Sequence, residues 1–405
     1  MLRRSAAIVP LWRRFKNKMA TEKLYEKDAY LREFDAKVLS CEKKDDNYLV
    51  VLDRSAFYPE GGGQPADRGI LGDADVLDVH NSGDEVVHTC DAPLEPGTEV
   101  HGIIDWVVRF DHMQQHSGEH IVSGMICDTF HCSNVGFHMG EEFVTIDYDA
   151  PATWEELMEI EKRANWYIWE NHAFESFYID GDNPDGVEYR SKKKIEGKIR
   201  IARFPGADCC ACCGTHVSSS AQVGLVKFVS VKNLRGGVRI ELLAGKRAFD
   251  YLAKCTEQNS EVSALLSAKP FETAQAVKRV LGEAEEQKKK NASFMQEYVD
   301  MYAEKFTGAG DTAVLKPSMD QDMLVRMSEA VSSACGGKTA VFTGSGSSWS
   351  YAYRDMSDGF RDAVKEMNAA LNGRGGGRGG FAQGRVAADE TAIRNYLESR
   401  GYKVN

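Results

Sequence analysis

No uninterrupted apolar stretch in this 405-residue chain approaches the roughly 18 residues that a membrane-spanning helix needs. The longest early apolar run, residues 6–12, is short and carries Pro10, so the chain reads as a soluble one. Positive charge is also scarce overall: 50 Lys and Arg stand against 61 Asp and Glu, a net charge of −11. Bulk charge therefore cannot drive binding to a polyanion, which depends on Lys and Arg neutralising phosphates. Cations are concentrated instead. Arg190, Lys192, Lys193, Lys194, Lys198, Arg200 and Arg203 surround the single acid Glu196, and this run is either a local phosphate-contacting element or a solvated charged turn. Acids are missing altogether before Glu22, while Arg3, Arg4, Arg13, Arg14, Lys16 and Lys18 precede it. Such an acid-free leader is an organelle transit peptide or upstream sequence ahead of a true start at Met19. The ordinary opening Ala20-Thr21-Glu22-Lys23 favours the second and a cytoplasmic location, with a mitochondrial one as the alternative.

What is present is ordinary globular material, 42% hydrophobic and 27% charged, in a length that suits two or three domains. Of ten cysteines, four crowd into Cys209, Cys210, Cys212 and Cys213 beside His216. That clustering signals metal rather than a disulfide framework, and it implies a reducing compartment in which Cys41, Cys90, Cys127, Cys132, Cys255 and Cys335 are free thiols.

The patterning predicts an α+β chain. Residues 24–111 hold short β-rich runs (48–52, 70–71, 100–104, 106–108) broken by turns, which predicts a small, strongly bent, barrel-like sheet behind a leader at 1–23. From residue 112 to 244 the spacing alternates. A helix is expected over 114–130, a strand at 143–147, a helix over 153–171 opened by the capping box Thr153 and Glu156, then strands at 198–204, 225–231 and 238–243. Residues 245–308 read as a helical connector. Positions 277, 281, 284, 288, 291, 295, 298 and 302 form a seam with a polar middle, which suits either a coiled-coil homodimer or a hairpin packed on its own domain. Residues 309–405 return to strands (339–342, 349–353) and helices, an α/β domain with a glycine-rich run from Gly373 to Gly384.

Two local features point to chemistry. His116 and His120 leave one face of a helix about 5–6 Å apart at Cβ, which is bite distance for one metal ion. Cys212-x-x-x-His216 supplies a matching pair from a distant turn, and a mixed His and Cys set makes zinc the first choice. The same helix segment, His116-Ser-Gly-Glu119-His120, also fits the inverted metalloprotease pattern, with Glu119 as base. That reading asks for a carboxylate third ligand where the chain offers cysteines. A structural zinc with all four positions closed is a further alternative. The second feature is the run from Phe57 to Gly69, whose Gly61, Gly62 and Gly63 permit close backbone approach or positive φ and whose Gln64 adds an amide there. Alone it is a hairpin turn as readily as a site.

Together the glycine run, His116-Ser-Gly-Glu-His120, Asn134-Val-Gly-Phe-His138 and the turn Cys212 to His216 resemble the AlaX trans-editing proteins, relatives of the editing domain of alanyl-tRNA synthetase. The resemblance runs from about Leu24 to the C-terminus, where the connector and the glycine run look like the synthetase's C-terminal domain. It implies a zinc-dependent deacylase acting in trans on tRNA for alanine mischarged with serine, or with glycine, with His116, His120, Cys212 and His216 as ligands. Gly61, Gly62, Gly63 and Gln64 would border the amino-acid pocket, and Asn134 or Thr215 would meet the serine hydroxyl. Gln64 would orient water, Glu119 would stand behind a ligand, and Asn134 and His138 complete the candidate catalytic set. Lys192, Lys193, Lys194, Arg374, Arg378 and Arg385 are the candidate tRNA contacts. The family's commoner turn is Cys-Gly-Gly-Thr-His, and Cys213 stands here where its first glycine would be. A tRNA-binding protein with a structural zinc and no catalysis is the rival reading.

Overall fold

The computed structural model describes residues 20–182, 184, 186–191 and 196–405. The basic leader at 1–18 and Lys192, Lys193 and Lys194 lie outside the described residues. The chain divides into two compact units, one ending at Gln258 and the other beginning at Asn259.

The first unit opens with six antiparallel strands, β1 (Glu33–Lys44), β2 (Asn47–Leu52), β3 (Gly69–Leu71), β4 (Ala74–Ser82), β5 (Glu85–Cys90) and β6 (Glu99–Ile104). They close in the order β1-β2-β5-β4-β3-β6. Alternation decides what fills the closed sheet: Phe34, Ala36 and Val38 on β1 are buried while Glu33, Asp35 and Lys37 are exposed. Val50, Leu52, Leu71, Val79 and Val86 complete that core. Phe57 joins them and anchors the start of the glycine run.

A long helix, α1 (Trp106–Phe130), follows. It begins earlier than expected and takes in residues 106–108, which the β-branched pair Val107 and Val108 had marked as strand. The reason is the Asp105 carboxylate, which accepts from the Val107 and Val108 amides and satisfies the first-turn donors. From Met113 to Cys127 nearly every side chain of α1 is buried, so the helix is a central post rather than an amphipathic cover. Two glycines allow the close approach this demands. A Cβ on Gly124 would sit 2.0 Å from the Ala207 carbonyl oxygen, and one on Gly118 would sit 2.7 Å from the Ala244 Cβ.

Around the post stand β7 (Asn134–Met139), β8 (Val144–Tyr148), helix α2 (Trp154–Trp169), β9 (Glu175–Asp180), β10 (Lys198–Phe204), β11 (Asp208–Ala211), β12 (Val226–Leu234) and β13 (Gly237–Ala244). They form a four-stranded sheet ordered β12-β13-β8-β7 and a three-stranded one ordered β9-β10-β11. The Thr153–Glu156 capping box that opens α2 is present with both of its hydrogen bonds. Barrel and post are joined by a buried ion pair. Arg109 on α1 donates to both oxygens of Asp67, which lies in the glycine-rich segment, and also to the Ala29 and Ala56 carbonyls, with both charged side chains fully buried.

Helix α3 (Gly245–Leu265) leads into the second unit, where α4 (Thr273–Glu304) runs for 32 residues. Most of the expected seam is exposed, including Val277, Leu281 and Tyr298, whereas the buried positions near its C-terminal end are Val299 and Ala303, packed with Leu324, Met327 and Val331 of α5 (Gln321–Cys335). The α5 contact thus uses Val299 and Ala303 beside the seam, with Tyr302 the seam position that packs against the same cluster. The remaining elements are β14 (Gly310–Leu315), β15 (Gly336–Ser345), β16 (Ser348–Arg354), α6 (Phe360–Ala370), β17 (Gly373–Arg378), β18 (Phe381–Val386), α7 (Glu390–Ser399) and β19 (Lys403–Val404), with the sheet ordered β17-β18-β16-β15-β14-β19. The glycine-rich run is therefore an edge strand and hairpin, not a linker. Its glycines admit close neighbours: a Cβ on Gly375 would meet the Tyr351 hydroxyl at 2.4 Å. Among the described residues no helix is long and apolar enough to cross a membrane.

Candidate metal centre

Helix geometry places the first pair of the centre. His116 and His120 lie four residues apart on the buried post, with ring centroids 5.1 Å apart. The second pair comes from the loop after β11, where Cys212 Sγ lies 3.5 Å from His116 Nε2 and 3.8 Å from His216 Nε2. One donor atom from each of His116, His120, Cys212 and His216 falls within 4.8 Å of all the others. All three histidines are at most 3% exposed, and Phe137 and Phe174 stack on His116 and His216 with centroids 5.3 and 4.8 Å apart.

The surroundings fix the ring tautomers. Gln64 Oε1 accepts the Thr215 amide at 3.2 Å, and its Nε2 donates to Thr215 Oγ at 2.9 Å, so the amide has one orientation. The atom facing His116 Nδ1 at 2.8 Å is then an acceptor, and the imidazole donates from Nδ1 and turns the lone pair of Nε2 inward. Asp208 Oδ2 does the same for His120 Nδ1 at 2.7 Å. His216 Nδ1 is buried and has no hydrogen-bond partner among the described residues. Burial opposes ionisation of Cys212, and positive charge on the rings around it or a hydrogen bond from His116 Nε2 would hold the thiol well below its ordinary range; with Nε2 turned inward as a lone pair, that charge has to come from a bound cation. Burial pushes His216 down to about 3, so that ring is neutral. A thiolate beside inward-facing imidazole lone pairs is a donor set for a cation. Gly214 makes the loop possible, since a Cβ there would lie 2.2 Å from His116 Cε1.

The other predicted residues separate into those the fold gathers here and those it does not. Gln64 is fully buried, with its amide engaged by His116 and Thr215. Thr215 is likewise fully buried, and its hydroxyl oxygen accepts from Gln64 Nε2. Glu119 does not stand behind a ligand: its Oε1 accepts from Ser123 Oγ at 2.5 Å and from Asn134 Nδ2 at 2.8 Å, and the residue lines a cleft beside the histidines. Asn134 lines the same cleft. His138 is exposed and is absent from the cleft wall, because it sits farther along β7 than the stretch that reaches the centre. Gly61 and Gly62 line the cleft, whereas Gly63 packs against Phe137. Among the cysteines, Cys213 is exposed, Cys209 pairs along β11, and Cys210 joins His120 and Asp208 as a second group of possible ligands.

The cleft measures about 1020 Å³ and has His116, His120, Cys212, Glu119 and Tyr58 among its walls. The basic run beside it does not form a phosphate stripe among the described residues. Arg200 is buried and donates to the Cys212 and Gly214 carbonyls at 2.9 and 3.1 Å, Arg203 pairs with Glu175, and Arg190 pairs with Asp208. Asp208 is not singled out by the sequence, and Arg190 and Arg200 are singled out there only as part of a basic run. Asp208 lies 88 residues from His120, and no spacing rule links a strand carboxylate to a helix imidazole at that range.

Comparison with known proteins bears on the same segments. Residues 14–108 match the domain family described as tRNA synthetases class II (A), and residues 199–241, which carry Cys212 and His216, match the threonyl and alanyl tRNA synthetase second additional domain. The chain is 32% identical over 303 residues to the alanyl-tRNA editing protein Aarsd1-A of Xenopus laevis, covering 71% of this chain and 74% of that one. It is 34% identical over 239 residues to the alanyl-tRNA editing protein AlaX-L of Pyrococcus horikoshii, covering 56% and 59%. It is 30% identical over 393 residues to the alanine–tRNA ligase of Ignicoccus hospitalis, covering 92% of this chain and 42% of the ligase.

Proposed function

The chain belongs to the alanyl-tRNA editing protein family, and on that premise we propose that it is a zinc-dependent aminoacyl-tRNA deacylase that hydrolyses, in trans, the ester of tRNA for alanine mischarged with serine, or with glycine. The observation that carries the reading is the meeting of His116, His120, Cys212 and His216 at the wall of a cleft of about 1020 Å³. Three imidazoles and a thiolate suit zinc, and the clamps from Gln64 and Asp208 are what ligating histidines ordinarily have. Bound there, zinc would supply Lewis acidity at the ester and an anchor for the substrate.

The chain's own groups do the rest. Gln64 and Asp208 hold two ligand rings in one tautomer and orientation. Glu119 has one oxygen engaged by Ser123 and Asn134, and as the cleft carboxylate that lies between His116 and His120 on the helix it would take a proton from the attacking water. The group that gathers both His116 and His120 is completed by Cys212 and His216, which favours the deacylase reading over a metalloprotease one. On the second unit, Arg374 of β17 and Arg385 of β18 are directly opposed cross-strand partners. Opposed like charges cost stability unless an anion lies between them, which supports these two residues, with Arg378 nearby, as contacts for tRNA phosphates.

The decisive measurement is release of serine and of alanine from charged tRNA for alanine by the purified chain, with and without a chelator. Chelator-sensitive hydrolysis of the seryl ester, with the alanyl ester spared, is expected. Hydrolysis untouched by complete metal removal, or tRNA binding without any hydrolysis, would overturn the proposal, the second result in favour of a binding protein with a structural zinc.

A further inference from the structure

One guanidinium in the cleft is only partly used by the fold. Arg190 Nε donates to Asp208 Oδ1 at 2.7 Å and Nη2 donates to Oδ2 at 2.9 Å, so a carboxylate that is 1% exposed sets the plane and direction of the side chain. That carboxylate is itself held, because Oδ2 also accepts from His120 Nδ1 at 2.7 Å. The guanidinium is thus linked to the His120 ring through one shared carboxylate. Its third nitrogen, Nη1, meets among the described residues only Cys127 Sγ, at 4.0 Å. A thiol sulfur is a weak acceptor, and this contact is long. Arg190 is 28% exposed at its side chain and lines the cleft with His116, His120 and Cys212.

We propose that Arg190 Nη1 is the cleft's contact for an oxyanion carried by the substrate, an inference that rests on the deacylase reading of the same site. A planar donor already fixed by a bidentate partner loses little freedom on meeting an anion, which is the property wanted in a site that must hold its substrate in one pose. The substrate has two sources of that chemistry. One is the phosphodiester on the terminal nucleotide. The other is the ester's carbonyl oxygen, which gains the π electron pair when the water oxygen bonds to the carbonyl carbon and returns it as the ribose oxygen leaves with a proton. Arg190 keeps its own protons throughout and contributes charge and direction.

The test compares wild type with Arg190→Gln and Arg190→Lys as full-length, zinc-loaded proteins on two substrates, serine-charged tRNA for alanine and 3′-O-seryl adenosine, which has no phosphate. A phosphate contact predicts a KM on charged tRNA raised about tenfold or more in Arg190→Gln, with the small ester unaffected and Arg190→Lys partly restored. A carbonyl-oxygen contact predicts kcat reduced about 10²- to 10³-fold on both substrates. Either result supports the proposal. Unchanged kcat and KM on both substrates overturn it, as does a loss of activity that only follows a loss of zinc, which would make Arg190 a brace for Asp208. Calorimetry with adenosine 5′-monophosphate and adenosine separates this proposal from the functional one. If the wild type hydrolyses neither ester but Arg190→Gln abolishes binding of the monophosphate alone, the deacylase reading falls and the anion contact stands. If it hydrolyses neither and the variant binds both as the wild type does, both fall.

Discussion

Glu119 is the residue whose role changes most once its neighbours are known. Lying between two ligands in sequence, it would be expected to brace one of them. Instead it hydrogen-bonds Ser123 and Asn134 and faces the cleft. Glu119→Gln keeps the shape and removes the proton acceptor, so kcat on seryl ester should fall about 10²- to 10⁴-fold with zinc content and KM little changed. Wild-type kcat in that variant would remove Glu119 from the chemistry. The cysteine cluster gives a second residue-level expectation. Only Cys212 shares a donor group with all three histidines, whereas Cys213 is exposed and Cys209 is engaged along β11. Cys212→Ser should release most of the zinc, since a hydroxyl replaces a thiolate poorly, while Cys209→Ser and Cys213→Ser should bind it as the wild type does. Metal analysis of the three purified variants decides it. Helical spacing made His116 and His120 legible as a pair, and the Cys-x-x-x-His spacing did the same for Cys212 and His216. The bonds of His120 to Asp208 and of Asp208 to Arg190 were not legible, because each joins elements that are remote in sequence or separated by a turn.

At the scale of elements, the centre depends on how closely α1 approaches the β10–β11 hairpin. Gly124 allows that approach, and a Cβ there would lie 2.0 Å from the Ala207 carbonyl oxygen, next to the Asp208 that holds His120. Gly124→Ala should therefore destabilise the first unit by about 1–3 kcal/mol in urea titrations and weaken zinc binding, the second effect arising from a displaced Asp208. Unaltered zinc affinity would show that the hairpin yields without disturbing the carboxylate. The barrel carries its own titratable group. His88 is fully buried between the Ser55 hydroxyl at 2.7 Å and the Val50 carbonyl at 3.1 Å, and burial lowers its pKa to about 4. Its neutral form is the one the fold prefers. The stabilisation is therefore complete above the unfolded value near 6.5 and is lost as pH falls from there toward about 4, a change of about 3 kcal/mol. Unfolding free energies at pH 7 and pH 4.5 should differ more for wild type than for His88→Gln. Equal pH dependence would mean that His88 charges in place.

For the whole molecule, the donor group and the cleft lie before Gln258 and the arginine-bearing edge strands lie after it, so on the proposed reading chemistry and tRNA capture would fall to different units. A chain ending at Gln258 should keep its zinc and its kcat but show a raised KM for charged tRNA, because contacts made equally in ground and transition states affect binding alone. In the full chain, replacing Arg374, Arg378 and Arg385 together by Gln should lessen the salt dependence of tRNA affinity. Undiminished affinity and salt slope in both proteins would place tRNA capture elsewhere. The sequence by itself determined the α+β class, the bent sheet ahead of the ligand helix, the strands at 198–204 and 349–353, and the four candidate ligands. Periodicity, capping and i, i+4 spacing are local, and they survive without knowledge of the rest of the chain. Tertiary structure alone decided that the glycine-rich run at 373–384 is an edge hairpin, that Gln64 bonds His116, and that Arg190, Arg200 and Arg203 of the basic run are engaged by Asp208, the loop at 212–214 and Glu175. Each of these is settled by a partner tens of residues away or by a neighbour that only glycine can admit, and the energy of such contacts belongs to the pair, not to either stretch of sequence.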